Sequence, residues 1–355
     1  MNPKIISRAG CVLPALLFFV AKAGAQTDLN LPEASQKAVL TQRVGITDIT
    51  INYHRPLVKG RKVWGELVPM GKVWRAGANE NTTIEFSTPV SVEGKPLPAG
   101  KYGLHMIPAA DTWTIIFSKM TVAWGSYSYN QAEDALRVMV KPHPAQMEEA
   151  LKYDFEDLQR DSVVVTMNWE KLAVPFRVSI DEVATVLPAI RDQLRGRAQY
   201  SWSPLAEAAQ YCLTNKTNLE EALKWADESI RVENRFENLM LKADLLAALK
   251  KPEEKSFRDL ALQRADDITL YSYGRKLQLE NRNAEAMAIF PAVVQRFPDS
   301  MMAHLAQARL KSAAGDFAAA AEETKKAQGM SKSDEQKASL QKLIGQLEAK
   351  QDINK

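Results

Sequence analysis

Val174-Pro175-Phe176-Arg177-Val178-Ser179-Ile180 is the last stretch of this chain in which every second side chain is apolar. That period of two is the signature of a half-buried strand, and it recurs upstream in Ile49-Thr50-Ile51-Asn52-Tyr53 and Trp113-Thr114-Ile115-Ile116-Phe117. Near residue 181 the spacing becomes helical and stays so to the C-terminus, as in the Ala-rich run Phe317-Ala318-Ala319-Ala320-Ala321. The change predicts an α+β chain in two domains: an N-terminal all-β antiparallel sandwich and a C-terminal all-α array.

Within residues 38–181 the strand candidates are Val39-Val44, Ile49-Tyr53, Thr83-Phe86, Val90-Glu93, Tyr102-Ile107, Trp113-Ser118, Leu136-Val140, Leu151-Phe155, Val163-Trp169 and Val174-Ile180. Gly94-Lys95 and Pro98-Ala99-Gly100 mark turns between them. No long helical pattern interrupts the series, which argues against a parallel α/β sheet. The exception to short connections runs from Arg55 to Asn81 and carries basic residues, aromatics and amides. Long ordered connections are often where function sits.

At the N-terminus Lys4 and Arg8 precede an apolar run from Val12 to Val20, and Ala23-Gly24-Ala25 offers a small-residue cleavage site before Gln26. Residues 1–25 read as a secretory signal peptide, and the expected location is periplasmic or secreted. Residues 26–37 are then an N-terminal extension. No later stretch is long and apolar enough to suggest a membrane span. Loss of Lys4, Arg8 and Lys22 with the leader leaves basic and acidic residues equal in number, so the sequence pI of 8.6 gives no reason to expect nucleic acid as a partner. Cys212 alone remains, which rules out an intrachain disulfide, and its helical setting reads as a buried structural thiol.

Five pieces of the β half carry a resemblance. They are Gly60-Arg61-Lys62, Val73-Trp74-Arg75-Ala76-Gly77-Ala78-Asn79-Glu80, Pro98-Ala99-Gly100-Lys101-Tyr102-Gly103-Leu104, Trp113-Thr114-Ile115-Ile116-Phe117 and Trp124-Gly125-Ser126-Tyr127. In order and spacing, over roughly residues 29–180, they resemble the bacterial domain-of-unknown-function family number 2911. The resemblance implies an exported bacterial β domain, frequently followed by helical repeats, and brings no established activity or catalytic residues.

The helical half is similar to tetratricopeptide repeats. Gly274, Ala286, Phe290 and Pro298 fall where a 34-residue repeat places two small residues, an aromatic and a helix-ending proline. Ala308, Gly315, Phe317, Ala320 and Ala327 fit the next frame, Ala222 and Ala226 an earlier one, and the segment around Lys255-Ser256 a degenerate one. About four helix pairs are expected over 202–345, after a linker or helix at 182–201 and before a tail at 346–355. Such arrays commonly bind peptides on a concave face; a plain scaffold is the equal alternative.

Chemistry has few candidates. In Tyr102-Ile107 alternation sets His105 opposite Leu104 and Met106, away from the core and beneath the long connection, and His54 continues the polar face of Thr50 and Asn52. A paired-histidine metal site with Glu80 is conceivable, but no HxH, HExxH or clustered-cysteine spacing supports it, so no metal and no cofactor is expected. There is no GxSxG elbow, since Trp124-Gly125-Ser126-Tyr127 lacks the trailing glycine, and no phosphate loop. What remains is a recognition surface of Trp64, Trp74, Arg75, Asn79, Glu80, His105 and Trp124, suited to a saccharide because indoles stack on sugar faces while charges and amides orient them. Trp64 and Trp74 as core residues, and Arg75 with Glu80 as a loop-fixing ion pair, are the competing readings. The leading expectation is an exported ligand- or protein-binding module on a helical scaffold, with an envelope protein or peptide docking the repeats. One alternative is a hydrolase of an envelope polysaccharide or peptide, with His105 or Glu80 as acid or base and Arg75 stabilising negative charge. Another is a purely structural assembly factor.

Overall fold

The alternating half folds as ten strands: β1 (Gln36–Val44), β2 (Thr47–Arg55), β3 (Thr83–Phe86), β4 (Val90–Val92), β5 (Lys95–Leu97), β6 (Gly100–Ile107), β7 (Trp113–Ser118), β8 (Asp134–Val140), β9 (His143–Glu156) and β10 (Ser162–Ser179). They pair antiparallel in two sheets, ordered β1-β2-β3-β6-β7-β8 and β5-β4-β10-β9. Alternation supplies the core. Ile49 and Ile51 of β2, Leu104 and Met106 of β6 and Phe117 of β7 join Val165, Met167, Phe176 and Val178 of β10 in one apolar cluster. The computed structural model describes residues 31–354; the proposed leader lies outside them. The chain forms two compact units that divide after Ile180.

Two expected strands, Val163-Trp169 and Val174-Ile180, are one. β10 runs through both and shifts register against β9 between Asn168 and Glu170 and again between Glu170 and Leu172. Glu170 takes a left-handed φ of 56°. The buried apolar side chains change from odd positions, Val163 to Trp169, to even ones, Val174 to Val178, across this irregularity, so a continuous strand reads as two. β9 begins eight residues earlier than Leu151, because His143–Ala150 is mostly exposed and carries no apolar alternation to announce it.

The C-terminal unit holds ten helices: α1 (Glu182–Leu194), α2 (Trp202–Thr214), α3 (Leu219–Val232), α4 (Phe236–Ala248), α5 (Glu254–Arg264), α6 (Asp267–Leu279), α7 (Asn283–Arg296), α8 (Met301–Ala313), α9 (Phe317–Met330) and α10 (Asp334–Glu348). α2 packs with α3, α4 with α5, α6 with α7 and α8 with α9, four successive pairs, and α10 packs on α9. Small residues set the spacing. Ala222, Ala226, Ala286, Ala308, Ala320 and Ala327 are fully buried, and a Cβ on Gly274 would stand only 2.6 Å from Cε1 of Phe290. Cys212 is buried as expected, and burial, reinforced by Glu221, pushes its thiol up to about 11, which leaves it protonated and inert at neutral pH.

Beyond α10 the chain turns back. Arg309 donates to the Ile353 carbonyl at 2.6 Å, the Ile353 amide donates to Ser312 Oγ at 3.1 Å, and the Asn354 side chain donates to the Arg309 carbonyl at 3.0 Å while accepting from Gln278 at 2.7 Å. The Ile353 side chain packs with Ala308, Ala320, Ala321 and Leu347.

Candidate functional site

The long connection is a folded part of the β core. Leu57 bridges to Ala150, and the Val58 amide donates to the Glu149 carbonyl at 2.8 Å. Trp74 exchanges two main-chain hydrogen bonds with Met106, both 2.8 Å, and the Leu104 amide donates to the Thr82 carbonyl. Ala76 adopts a left-handed φ of 51° that turns its carbonyl inward, where the Tyr153 hydroxyl (2.9 Å) and the Thr82 hydroxyl (3.2 Å) both donate to it. Val58, Val63, Val68 and Ala76 are core residues.

This placement decides the fate of two of the three tryptophans. Trp64 packs edge-on against Trp113 at 4.9 Å and against Trp169 at 5.7 Å, and Trp74 stacks on Trp169 at 5.8 Å. Trp113 and Trp169 are fully buried, so Trp64 and Trp74 pack against the core. Their rings are engaged by other indoles. Trp124, by contrast, is 61% exposed and Tyr127 is 85% exposed.

His105 does point away from Leu104 and Met106, yet it is only 2% exposed. The segment after β7, not the long connection alone, covers it. Ser126 Oγ lies 2.8 Å from His105 Nδ1, and the Tyr129 ring meets the imidazole edge-on at 5.5 Å. That segment is fastened in turn: the Asn81 amide donates to the Ala123 carbonyl at 3.1 Å, its side chain donates to the Met120 carbonyl at 3.2 Å, and Asp134 accepts from Tyr129 at 2.7 Å and from Arg137 at 2.6 Å. Burial drives the His105 pKa down to about 4, opposed only in part by the Asp134 charge. At neutral pH the imidazole is uncharged and a weak base, a poor match for general acid–base work near pH 7.

Arg75 lies under the same segment. Its Nε is buried without a hydrogen-bond partner, and its Nη1 would stand 2.9 Å from a Cβ on Gly125, whose φ of 65° suits glycine. Glu80 is not its counter-ion. Glu80 Oε2 lies 3.3 Å from His54 Nδ1, while Glu33 Oε2 lies 3.0 Å from His54 Nε2. Asn79, at a left-handed φ of 56°, donates to the same Glu33 oxygen at 2.7 Å. The seven candidates thus fall into three settings: Trp64 and Trp74 against the core; Arg75, Trp124 and His105 around the 119–130 segment; and Asn79 with Glu80 beside His54. His105 and His54 have different partners. Of the basic residues in the long connection, Arg55 and Arg61 donate to main-chain carbonyls and Lys62 pairs with Glu66 at 3.3 Å, so much of the local basic excess is already engaged.

Sequence reasoning missed Ser126, Glu33 and Tyr129, because the contacts that give them a role join positions far apart in the chain. It also left unnamed a groove in the helical unit. A cavity of about 460 Å³ is lined by Gln210 of α2, Phe236 and Met240 of α4, and Ile268, Tyr273 and Lys276 of α6. These come from the first helix of three successive pairs. Phe236 and Tyr273 meet edge-on at 5.5 Å, and Ile268 is 59% exposed. Among the described residues no helix is long and apolar enough to cross a membrane.

No curated protein matches the chain in sequence. Among solved structures, 46% of this chain is similar to 84% of YrrB, titled a TPR protein with an unusual peptide-binding site, at 14% identity and a TM-score of 0.27. A further 16%-identical match relates 48% of this chain to 30% of yeast Tom70, at a TM-score of 0.21. The resemblance carried by the Val73-Glu80 segment, the β6 strand and Trp124-Tyr127 holds: residues 35–178 match the family described as "Protein of unknown function (DUF2911)".

Proposed function

We propose that this chain is a binding module in which the helical array holds an extended peptide of a partner protein, and that it acts after export to the periplasm or the medium. The groove across α2, α4 and α6 carries this reading. It combines an apolar floor of Phe236, Met240 and Tyr273 with an exposed apolar wall at Ile268 and a rim of mixed charge from Glu237, Asp244 and Lys276, which suits an apolar anchor residue flanked by polar ones. The array's own tail supports an extended occupant, since Gln278 of α6 and Arg309 and Ser312 of α8 already read main-chain and amide groups of a non-helical segment. The leader pattern at Lys4–Ala25 supports export.

The test is selection of a displayed random-peptide library on the full mature chain, followed by anisotropy titration of the enriched peptides. Ile268→Glu and Lys276→Glu, both on the groove wall, should each weaken binding about tenfold, the ~1.4 kcal/mol of a modest hot spot. Peptides that bind both variants as well as the parent chain would place the site elsewhere and end the proposal.

A second reading rests on the β unit, where Trp124 and Tyr127 flank Gly125 above a guanidinium whose Nε lacks a partner. An exposed indole beside an arginine suits a saccharide bearing an acidic group. The hydrolase reading has less support, because His105 is buried and weakly basic and Glu80 is engaged by His54.

A further inference from the structure

The first turn of chain before β1, the end of β2 and the long connection bring Glu33, His54 and Glu80 together. One ligand atom from each lies within 4.8 Å of the other two. The imidazole is only 6% exposed, fixed at the end of β2 in register with Lys37, whereas both carboxylates reach it from the solvent side. Glu33 is oriented by the Asn79 amide. The three residues share a surface cavity of about 430 Å³.

The hydrogen-bond inventory makes this arrangement specific. An ionised carboxylate only accepts, so each of the two contacts on His54 needs an N–H hydrogen or a cation between ring nitrogen and oxygen. A neutral imidazole supplies one N–H. The other nitrogen then turns a lone pair toward a carboxylate oxygen, and that contact becomes favourable once a metal ion sits between them. We propose that Glu33, His54 and Glu80 form a divalent transition-metal site, with one ring nitrogen of the imidazole as the buried anchor ligand and both carboxylates closing on the ion, the one beside the other ring nitrogen leaving that contact to do so. Donors ~2.1 Å from a common ion stand no more than about 4.2 Å apart, so the exposed glutamate side chains need to close by less than about 1 Å. One imidazole and two carboxylates suit zinc or manganese, and the cavity leaves the remaining positions to water or a ligand oxygen. Neither spacing nor motif announced the site, because its members come from three separate segments.

The experiment is isothermal titration of the full mature chain, stripped with chelator, with zinc chloride and separately with manganese chloride. One ion per chain is expected. Glu33→Gln and Glu80→Gln change exposed side chains and should leave the melting curve in place while weakening that binding by at least the roughly 10- to 100-fold that loss of even an outer-sphere partner costs. His304→Ala, which removes a histidine paired with Glu323 in the helical unit, should leave it unchanged. Absence of saturable binding of either ion, binding that survives both glutamine variants, or binding lost only with His304→Ala would each overturn the assignment.

Discussion

Replacing Gly274 by alanine should destabilise the helical unit, against the ordinary rule for a helix interior. Gly274 sits in the middle of α6 with unexceptional helical backbone, where alanine is favoured over glycine by about 1 kcal/mol. Its missing Cβ is what lets α7 approach. A methyl there would meet Phe290 Cε1 at 2.6 Å and Cδ1 and Cζ at 3.1 Å, three atoms of a fully buried ring that cannot swing aside as a flexible chain end could. Overpacking of this kind costs about 1–3 kcal/mol. The balance is a net loss of about 0–2 kcal/mol, which for a unit of this size lowers the melting temperature by up to about 8 °C. Thermal unfolding of the full chain followed by far-ultraviolet circular dichroism reads the helices directly. Gly274→Ala together with Phe290→Leu should cost less than the two single changes added, because the smaller side chain makes room for the methyl. A raised melting temperature in Gly274→Ala, or strict additivity in the double variant, would refute the argument that this glycine is a spacer.

The β unit should gain stability as pH rises from about 4 to 6.5. Burial holds His105 neutral down to about 4, whereas the unfolded chain binds a proton below about 6.5, so across that window the unfolded state carries the extra proton and rising pH favours the native state, by about 3 kcal/mol in all. Urea unfolding at a series of pH values measures the slope, which His105→Gln should flatten; an unchanged slope in that variant would assign it to other groups. For the saccharide reading, calorimetric titration with acidic glycan fragments should give binding that Trp124→Ala abolishes without lowering the melting temperature, since the indole is mostly in solvent; equal binding by the variant rules the patch out.

The strand at Trp113–Ser118 and the repeat residues Gly274, Ala286 and Phe290 were legible because their roles are periodic, and period is what a one-dimensional sequence preserves. Local irregularity hid the continuity of β10, where the phase of the buried side chains changes around the left-handed Glu170. β5 was missed because Lys95-Pro96-Leu97 is too short and too polar to show a pattern. The sites were less legible still. An indole reads the same whether it stacks on a sugar or, like Trp74, on another indole, and only the distance to Trp169 separates the cases. Glu33 belonged to a stretch with no pattern at all, and its approach to His54 depends on where the chain enters β1. His105 was placed on the correct face by alternation, but what covers that face, Ser126 and Tyr129, is set by the path of a loop.

The short return of chain after α10 bears on what the helical unit leaves open to a partner. Here Ile353 fills apolar space among Ala308, Ala320, Ala321 and Leu347, and Arg309, Ser312 and Gln278 hold the neighbouring main chain and amide in place. The strip of α6 and α8 that this segment covers is therefore already occupied by an extended stretch that travels with the chain, and because much of the grip is polar it can be loosened without unfolding the helices beneath it.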